Sequence, residues 1–258
     1  IIKVKWVLTQ LGDIQQGQQS RYRAAIFDPR VITGIKAFQQ RHGLAVTGQL
    51  NKKTAQALNV APLTRVRQMQ QSLWRWFELP ADLPDRYLWI NIPDYRLTLF
   101  SWGESALHMK VIVGKPSSPT PMLSTHLTRL TINPTWTPPL SIVRSELLPQ
   151  QRKQPGYLKH QAFELHKGPL NNTQVIKLSE VTEQELPGLL RQYRLVQAPG
   201  KNNALGRYRF SIPNTDAIYL HDTPAKHLFD KKQRALSHGC IRLADAARLT
   251  RYLYQTDT

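Results

Sequence analysis

At 258 residues, 41% hydrophobic and 20% charged, the chain can bury one large core or two smaller ones, which excludes a disordered tail. Its net charge of +18 calls for anionic surroundings. Lys and Arg are not gathered in blocks, however, and no zinc-finger, RNP or basic-zipper pattern occurs, so nucleic acid is set aside as a partner. No apolar run reaches the roughly 20 residues that cross a bilayer. Without an initiator Met or a leader, the sequence reads as a processed or trimmed piece, with any export signal or anchor upstream.

The first 59 residues hold nine Lys/Arg against two Asp/Glu, a net +7. Ile2, Trp6 and Leu8 to Leu11 recur at near-helical spacing. Val31, Ile35 and Phe38 then mark one face of a second helix, with a basic last turn at Arg41-His42 and Gly43 as its stop. Val46-Thr47-Gly48 makes a turn, and Asn51 caps a third helix carrying Ala55 and Leu58. A small three-helix bundle is expected. The run Ile35-Lys36-Ala37-Phe38-Gln39-Gln40-Arg41-His42-Gly43-Leu44, with Thr47-Gly48-Gln49-Leu50 and Thr54 to Leu58, resembles the peptidoglycan-binding module of many wall enzymes. That resemblance implies non-catalytic docking to cell-wall glycopeptide over residues 1–59.

Residues 60–85 are neutral. Leu63, Val66, Met69, Leu73, Trp76 and Phe77 keep a helical period, which predicts a packed linker helix ending before Leu79-Pro80 and Leu83-Pro84. From residue 87 the period becomes two. Tyr87 to Ile92, Arg96 to Phe100, Met109 to Val113, Leu127 to Ile132, Tyr208 to Ile212 and Ala217 to Leu220 read as strands. Between 141 and 200 the pattern turns polar and helical, with Leu147-Leu148, Leu158 and Leu186 to Leu190, a helical insertion within a β domain. The fold class is α+β: a mainly-β domain over 86–258, interrupted at 141–200, plus the helical bundle.

One cysteine excludes an internal disulfide. Such a residue can be a small buried hydrophobe or a nucleophile, and its neighbours argue for the second. Ser237-His238-Gly239-Cys240-Ile241-Arg242 follows His221, with 15 residues between His221 and Ser237. An imidazole brought to the thiol can take its proton. Gly239 lets the backbone approach a reacting carbonyl, and the N–H groups of Gly239 and Cys240 are expected to hold the oxyanion. A zinc site built from His221, His227, His238 and Cys240 is the rival reading, although these residues lack a standard zinc spacing.

This string resembles the L,D-transpeptidase catalytic domain, or YkuD domain, whose signature sets a His ahead of Ser/Thr-His-Gly-Cys. Gly114-Lys115-Pro116 with Thr120-Pro121, Asn133-Pro134-Thr135-Trp136, Asn203-Ala204-Leu205-Gly206-Arg207 and Tyr219-Leu220-His221-Asp222-Thr223-Pro224 extend the likeness to the YcbB-type subgroup, in which a capping subdomain interrupts the catalytic fold. One departure is Arg242, where the broad signature often has Asn; the YcbB-like members tend to carry Arg. The resemblance implies Cys240 as nucleophile and His221 as general base, with His238 orienting the site and Ser237 and Gly239 shaping the loop. Tyr219, Arg242 and Trp136 would face substrate, Arg242 meeting a carboxylate or bracing the loop. It further implies a bacterial periplasmic or envelope enzyme, a monomer, that needs no metal or cofactor. Such an enzyme takes a donor tetrapeptide stem of peptidoglycan, releases D-Ala, and passes the acyl group to an acceptor stem as a 3→3 cross-link. Carbapenem β-lactams would acylate the same thiol. Hydrolysis of the thioester, an L,D-carboxypeptidase activity, and a non-catalytic wall-binding role remain the alternatives.

Overall fold

The computed structural model describes residues 1–15, 25–80, 82–168, 173–182 and 184–255. The chain divides into two compact units, Ile1–Asp82 and Leu83–Thr258.

In the first unit, α1 (Ile2–Gln10), α2 (Pro29–Arg41) and α3 (Lys52–Leu58) enclose a core of Leu8, Val31, Ile35 and Phe38. The Asp28 carboxylate caps α2 by accepting from the Val31 N–H at 3.1 Å, and it also receives Lys5 Nζ at 2.9 Å. Asn51 caps α3 through the Thr54 N–H at 3.0 Å. The buried Gln39 amide ties α2 to the turn: its oxygen accepts from the N–H groups of Thr47 and Gly48, and its nitrogen donates to Gln49 O and Thr54 Oγ1. Trp6, grouped by its spacing with the apolar stripe, is 62% exposed instead, since only Lys5 and Leu8 of α1 are buried.

The helix expected over 60–85 exists as α4 (Pro62–Phe77), but the expectation that it is packed is corrected: none of its residues is buried. The core of this unit closes over α1–α3 with no α4 side chain in it. A helical period reports a face suited to burial, and cannot supply the surface that buries it.

In the second unit one sheet runs in the order β1 (Arg86–Asn91), β2 (Arg96–Ser101), β3 (Glu104–Gly114), β11 (Ile241–Leu243), β9 (Tyr219–His221), β8 (Tyr208–Ser211), β4 (Arg129–Ile132), with β10 (Ala235–Ser237) also paired to β3. Leu97, Leu99, Leu107, Val111, Val113, Phe210, Leu220, Ile241 and Leu243 form its core together with Ala246 and Leu249 of α9 (Ala246–Gln255).

Residues 141–200 lie between β4 and β8 and have a separate core of Val143, Leu147, Leu158, Phe163, Leu165, Leu186 and Leu195. The expectation of a helical insertion holds in part. Helices α5 (Leu140–Ile142), α6 (Leu148–Lys153), α7 (Tyr157–His160) and α8 (Leu186–Leu189) are present, α5 and α6 being joined by a π-helical turn at Val143–Leu147. A three-stranded antiparallel sheet accompanies them, however: β6 (Gln174–Lys177), β5 (Phe163–Lys167) and β7 (Arg194–Gln197). These strands of four or five residues show too few apolar positions to establish a period, Phe163 and Leu165 being the only two of β5. Positions 169–172 and 183 of this stretch lie outside the described residues.

Candidate active site

The site is built on the sheet face opposite the core. Register sets Arg209 of β8 beside His221 of β9, and His221 beside Arg242 of β11. Residues paired in this way share a face, and side chains alternate along a strand. Phe210, Leu220, Ile241 and Leu243 therefore enter the core, while Arg209, Tyr219, His221 and Arg242 face away from it. Cys240 immediately precedes β11, so it stands about two residues from the Arg242 row, at the level of Tyr219.

His221 is buried, 4% exposed. Its Nδ1 donates to the Asp222 carbonyl at 2.5 Å, which fixes the tautomer and leaves Nε2 an acceptor. Burial, and after it the charge of Arg242, pulls its pKa down to about 3, so the ring is neutral at ordinary pH. The Asp222 carboxylate accepts from the Arg207 N–H at 3.0 Å and pairs with Lys226 at 2.5 Å. Burial opposes its ionisation, but these donors outweigh burial and hold its pKa low.

Cys240 is half-buried, with Sγ 3.8 Å from Ala217 O. Burial pushes the thiol up, partly opposed by Tyr219 and by the charges of Arg209 and Arg242. Tyr219 meets His221 in a tilted contact, ring centroids 5.6 Å apart and planes at 59°, and the Arg209 guanidinium lies 4.6 Å from the Tyr219 ring centroid. Burial, followed by the neighbouring Cys240, raises the Tyr219 pKa, so its hydroxyl stays protonated; Trp136 acts in the opposite sense through a side-chain contact. Trp136 is fixed by paired backbone hydrogen bonds with Gln197, at 3.0 and 2.7 Å.

The loop before Cys240 is held from both ends. Ser237 Oγ donates to Cys240 O at 2.6 Å and accepts the Gly239 N–H at 3.1 Å. This corrects the expectation for Gly239, because its N–H is committed to Ser237 and is not turned to an oxyanion. Gly239 has φ +114°, and a Cβ there would meet Ile218 Cδ1 at 2.9 Å, so the position demands glycine for shape. Thr120 Oγ1 donates to Gly239 O at 2.6 Å and accepts the Gly114 N–H at 2.9 Å, while the Lys115 N–H reaches Ser237 O at 2.9 Å. His238 points to other partners: Glu146 Oε1 at 2.7 Å, from the π-helical turn, and Lys115 Nζ at 3.2 Å. His227 is exposed on a 3₁₀ turn at Lys226–Asp230. Among the described residues no three His, Cys, Asp or Glu side chains converge as metal ligands would.

Sequence reasoning missed Arg209, Glu146 and Thr120. Thr120 stood in a quoted motif, but Arg209 and Glu146 acquire meaning only through cross-strand register and the path of the insertion.

The L,D-transpeptidase catalytic domain family, YkuD, matches residues 85–258. The "Putative peptidoglycan binding domain" family matches residues 1–58. A Haemophilus influenzae protein named "Putative L,D-transpeptidase" is 33% identical over 214 residues, covering 81% of this chain and 42% of that protein, so the chain spans less than half the length of this relative. Two solved structures are more distant. One is an LD transpeptidase, LdtMt1, in complex with imipenem (18% identity, 66% of this chain and 54% of that one, TM-score 0.35). The other is the Ldtfm–avibactam carbamoyl enzyme (15% identity, 62% and 41%, TM-score 0.31). With its match over residues 85–258, the chain belongs to the L,D-transpeptidase family.

Proposed function

We propose that the chain forms 3→3 cross-links in bacterial peptidoglycan through a thioester on Cys240. The observation that carries this reading is a buried, neutral His221, with its Nδ1 proton spent on Asp222 O, on the strand beside the one that Cys240 opens. Nε2 takes the thiol proton as sulfur attacks the carbonyl of the third, diaminopimelate-type residue of a donor tetrapeptide. The tetrahedral intermediate collapses, D-Ala leaves with a proton returned by His221, and the acyl-thioester remains. An amine of an acceptor stem then attacks the thioester, His221 takes its proton, and the thiol is regenerated. The protonated Tyr219 hydroxyl and the Cys240 N–H are the donors assigned to the oxyanion, in place of Gly239. Ser237 shapes the loop, Trp136 lines the donor site, and His238 orients the loop from outside.

In this reading residues 86–258 are catalytic, 141–200 cap the cleft, 60–85 link, and the basic 1–59 bundle docks to wall carboxylates. Carbapenems acylate Cys240, and the enzyme works as a monomer in the periplasm. Mass spectrometry of muropeptides after incubation is the test. Cross-linked dimers and free D-Ala are expected from the wild-type chain and neither from Cys240→Ala. Tripeptides and D-Ala without dimers would make the activity hydrolytic, and turnover by folded Cys240→Ala would remove the mechanism. For the bundle, sedimentation with sacculi should fall when residues 1–59 are deleted and when salt shortens the screening length below about 8 Å.

A further inference from the structure

Arg209, His221 and Arg242 stand abreast on three neighbouring strands, so two guanidiniums flank the imidazole on one face. The Nε atoms of both arginines are buried without a hydrogen-bond partner. Among the described residues neither forms an ion pair; the Arg209 guanidinium rests on the Tyr219 ring at 4.6 Å. A buried N–H donor with no acceptor is costly, and a fold that keeps two of them abreast beside Cys240 has donors to offer an anion that comes and goes. The planar fork of Arg matches a carboxylate through two parallel N–H···O bonds. Tyr219, level with Cys240 in the register, lies under the Arg209 guanidinium at 4.6 Å and holds the first fork near the thiol.

We propose that Arg209 and Arg242 form a carboxylate-binding subsite beside Cys240 that receives a free carboxylate of the donor stem while its scissile carbonyl settles at the sulfur. The inference rests on the peptidoglycan reading above and assigns Arg209 a role in substrate binding. The carboxylate can come from the C-terminus of the leaving D-amino acid or from the side chain of the diaminopimelate-type residue. The chemistry is shared, and selective amidation separates the two sources.

The experiment uses the full chain carrying Cys240→Ala and titration calorimetry with three tetrapeptides: the free acid, its C-terminal amide and its diaminopimelate amide. One amide should bind about tenfold to a hundredfold more weakly than the acid, the range for a hydrogen bond to a charged group. Arg209→Gln in the same background should erase that preference, and Arg209→Lys, which keeps the charge but not the fork, should restore part of it. Equal binding of acid and both amides overturns the proposal, as does a full preference surviving Arg209→Gln or no binding of any stem. Iodoacetamide labelling of Cys240 across pH, in chains that retain the thiol, reports an intact site. If Arg209→Gln shifts that profile but leaves the acid-to-amide ratio alone, Arg209 only tunes the thiol and the subsite is refuted. Turnover by the wild-type chain judges the parent reading separately: turnover with no acid preference sinks the subsite alone, and an acid preference without turnover sinks the function and keeps the subsite.

Discussion

On β8, β9 and β11, residues one step apart in the chain live under opposite physics. Phe210, Leu220, Ile241 and Leu243 are almost fully buried among other apolar side chains, each gaining about 1.5–3 kcal/mol from leaving water. Arg209, His221 and Arg242 occupy the other face of the same strands and gain nothing comparable. Two guanidiniums have buried, unpartnered Nε atoms, and burial keeps an imidazole neutral far below the pH at which it would ordinarily take a proton. The apolar face supplies the rigidity that keeps the strained polar face in register. Period-two alternation is thus the device that lets a stable sheet carry an unstable arrangement of charges.

Breaking the polar face should destroy chemistry and spare the fold. His221→Gln should slow acylation of Cys240 by a stem peptide or carbapenem about 10²–10⁴-fold, the usual loss of a general base, while exposed His227→Ala changes little. Equal losses at the two histidines in stopped-flow acylation would end the assignment. Breaking the apolar face should do the reverse. Leu220→Ala leaves a cavity in a core position that is 2% exposed, and should lower unfolding stability by about 2–5 kcal/mol in denaturant titrations while the surviving folded fraction still acylates. A large kinetic loss with unchanged stability would mean that the two faces are not separable.

Acid sharpens the same contrast. His221 has a pKa near 3 when folded and an ordinary value near 6.5 when unfolded, so the unfolded chain binds the extra proton between those values. The stability this group lends is complete above pH 6.5 and is lost as pH falls towards 3, by about 3 kcal/mol at pH 4. Thermal melts should show that decline in the wild-type chain and a smaller one in His221→Gln. Melts that decline equally would place the acid sensitivity elsewhere.

How much of this was legible in the sequence differs between the same two faces. The apolar alternation announced β1–β4, β8 and β9, and the His221 to Cys240 string pointed to the candidate site. Capping chemistry placed α3, whose Asn51 accepts as its residue type suggests. β5 was not legible because Phe163 and Leu165 are its only apolar residues, and it is stabilised by pairing with β6 and β7 from distant sequence. β10 and β11 are three residues each, too short to show a period. Arg209 carries no local signal, since an Arg in a strand is ordinarily a solvated outward residue. Only the pairing of β8 with β9 reveals that its outward side is the site. The mistaken role for Gly239 has the same origin: glycine in a catalytic loop suggests a free N–H, while the three-dimensional loop turns that N–H to Ser237.

The smallest expected effect lies above the polar face, where the insertion meets the loop. Glu146 sits in the π-helical turn Val143–Leu147, a local widening that is followed by Pro149, which has no N–H to bond back one turn. Its carboxylate is 2.7 Å from His238 Nε2, but the two side chains are 49% and 31% exposed. A polar contact so open to water contributes about 0–1 kcal/mol, and the field of its carboxylate weakens further as salt screens it. Glu146→Gln keeps the shape and one hydrogen bond while removing the charge. Acylation of Cys240 by stem peptides should therefore change by less than about fivefold at low ionic strength, the equivalent of that energy, and by nothing measurable in 1 M salt. Alkylation by iodoacetamide, too small to need the insertion, should be unchanged in both. A fall beyond about a hundredfold that persists in high salt would instead put Glu146 among the groups that act on the reacting atoms, and the boundary between site and cap would have to be redrawn to include the π-helical turn.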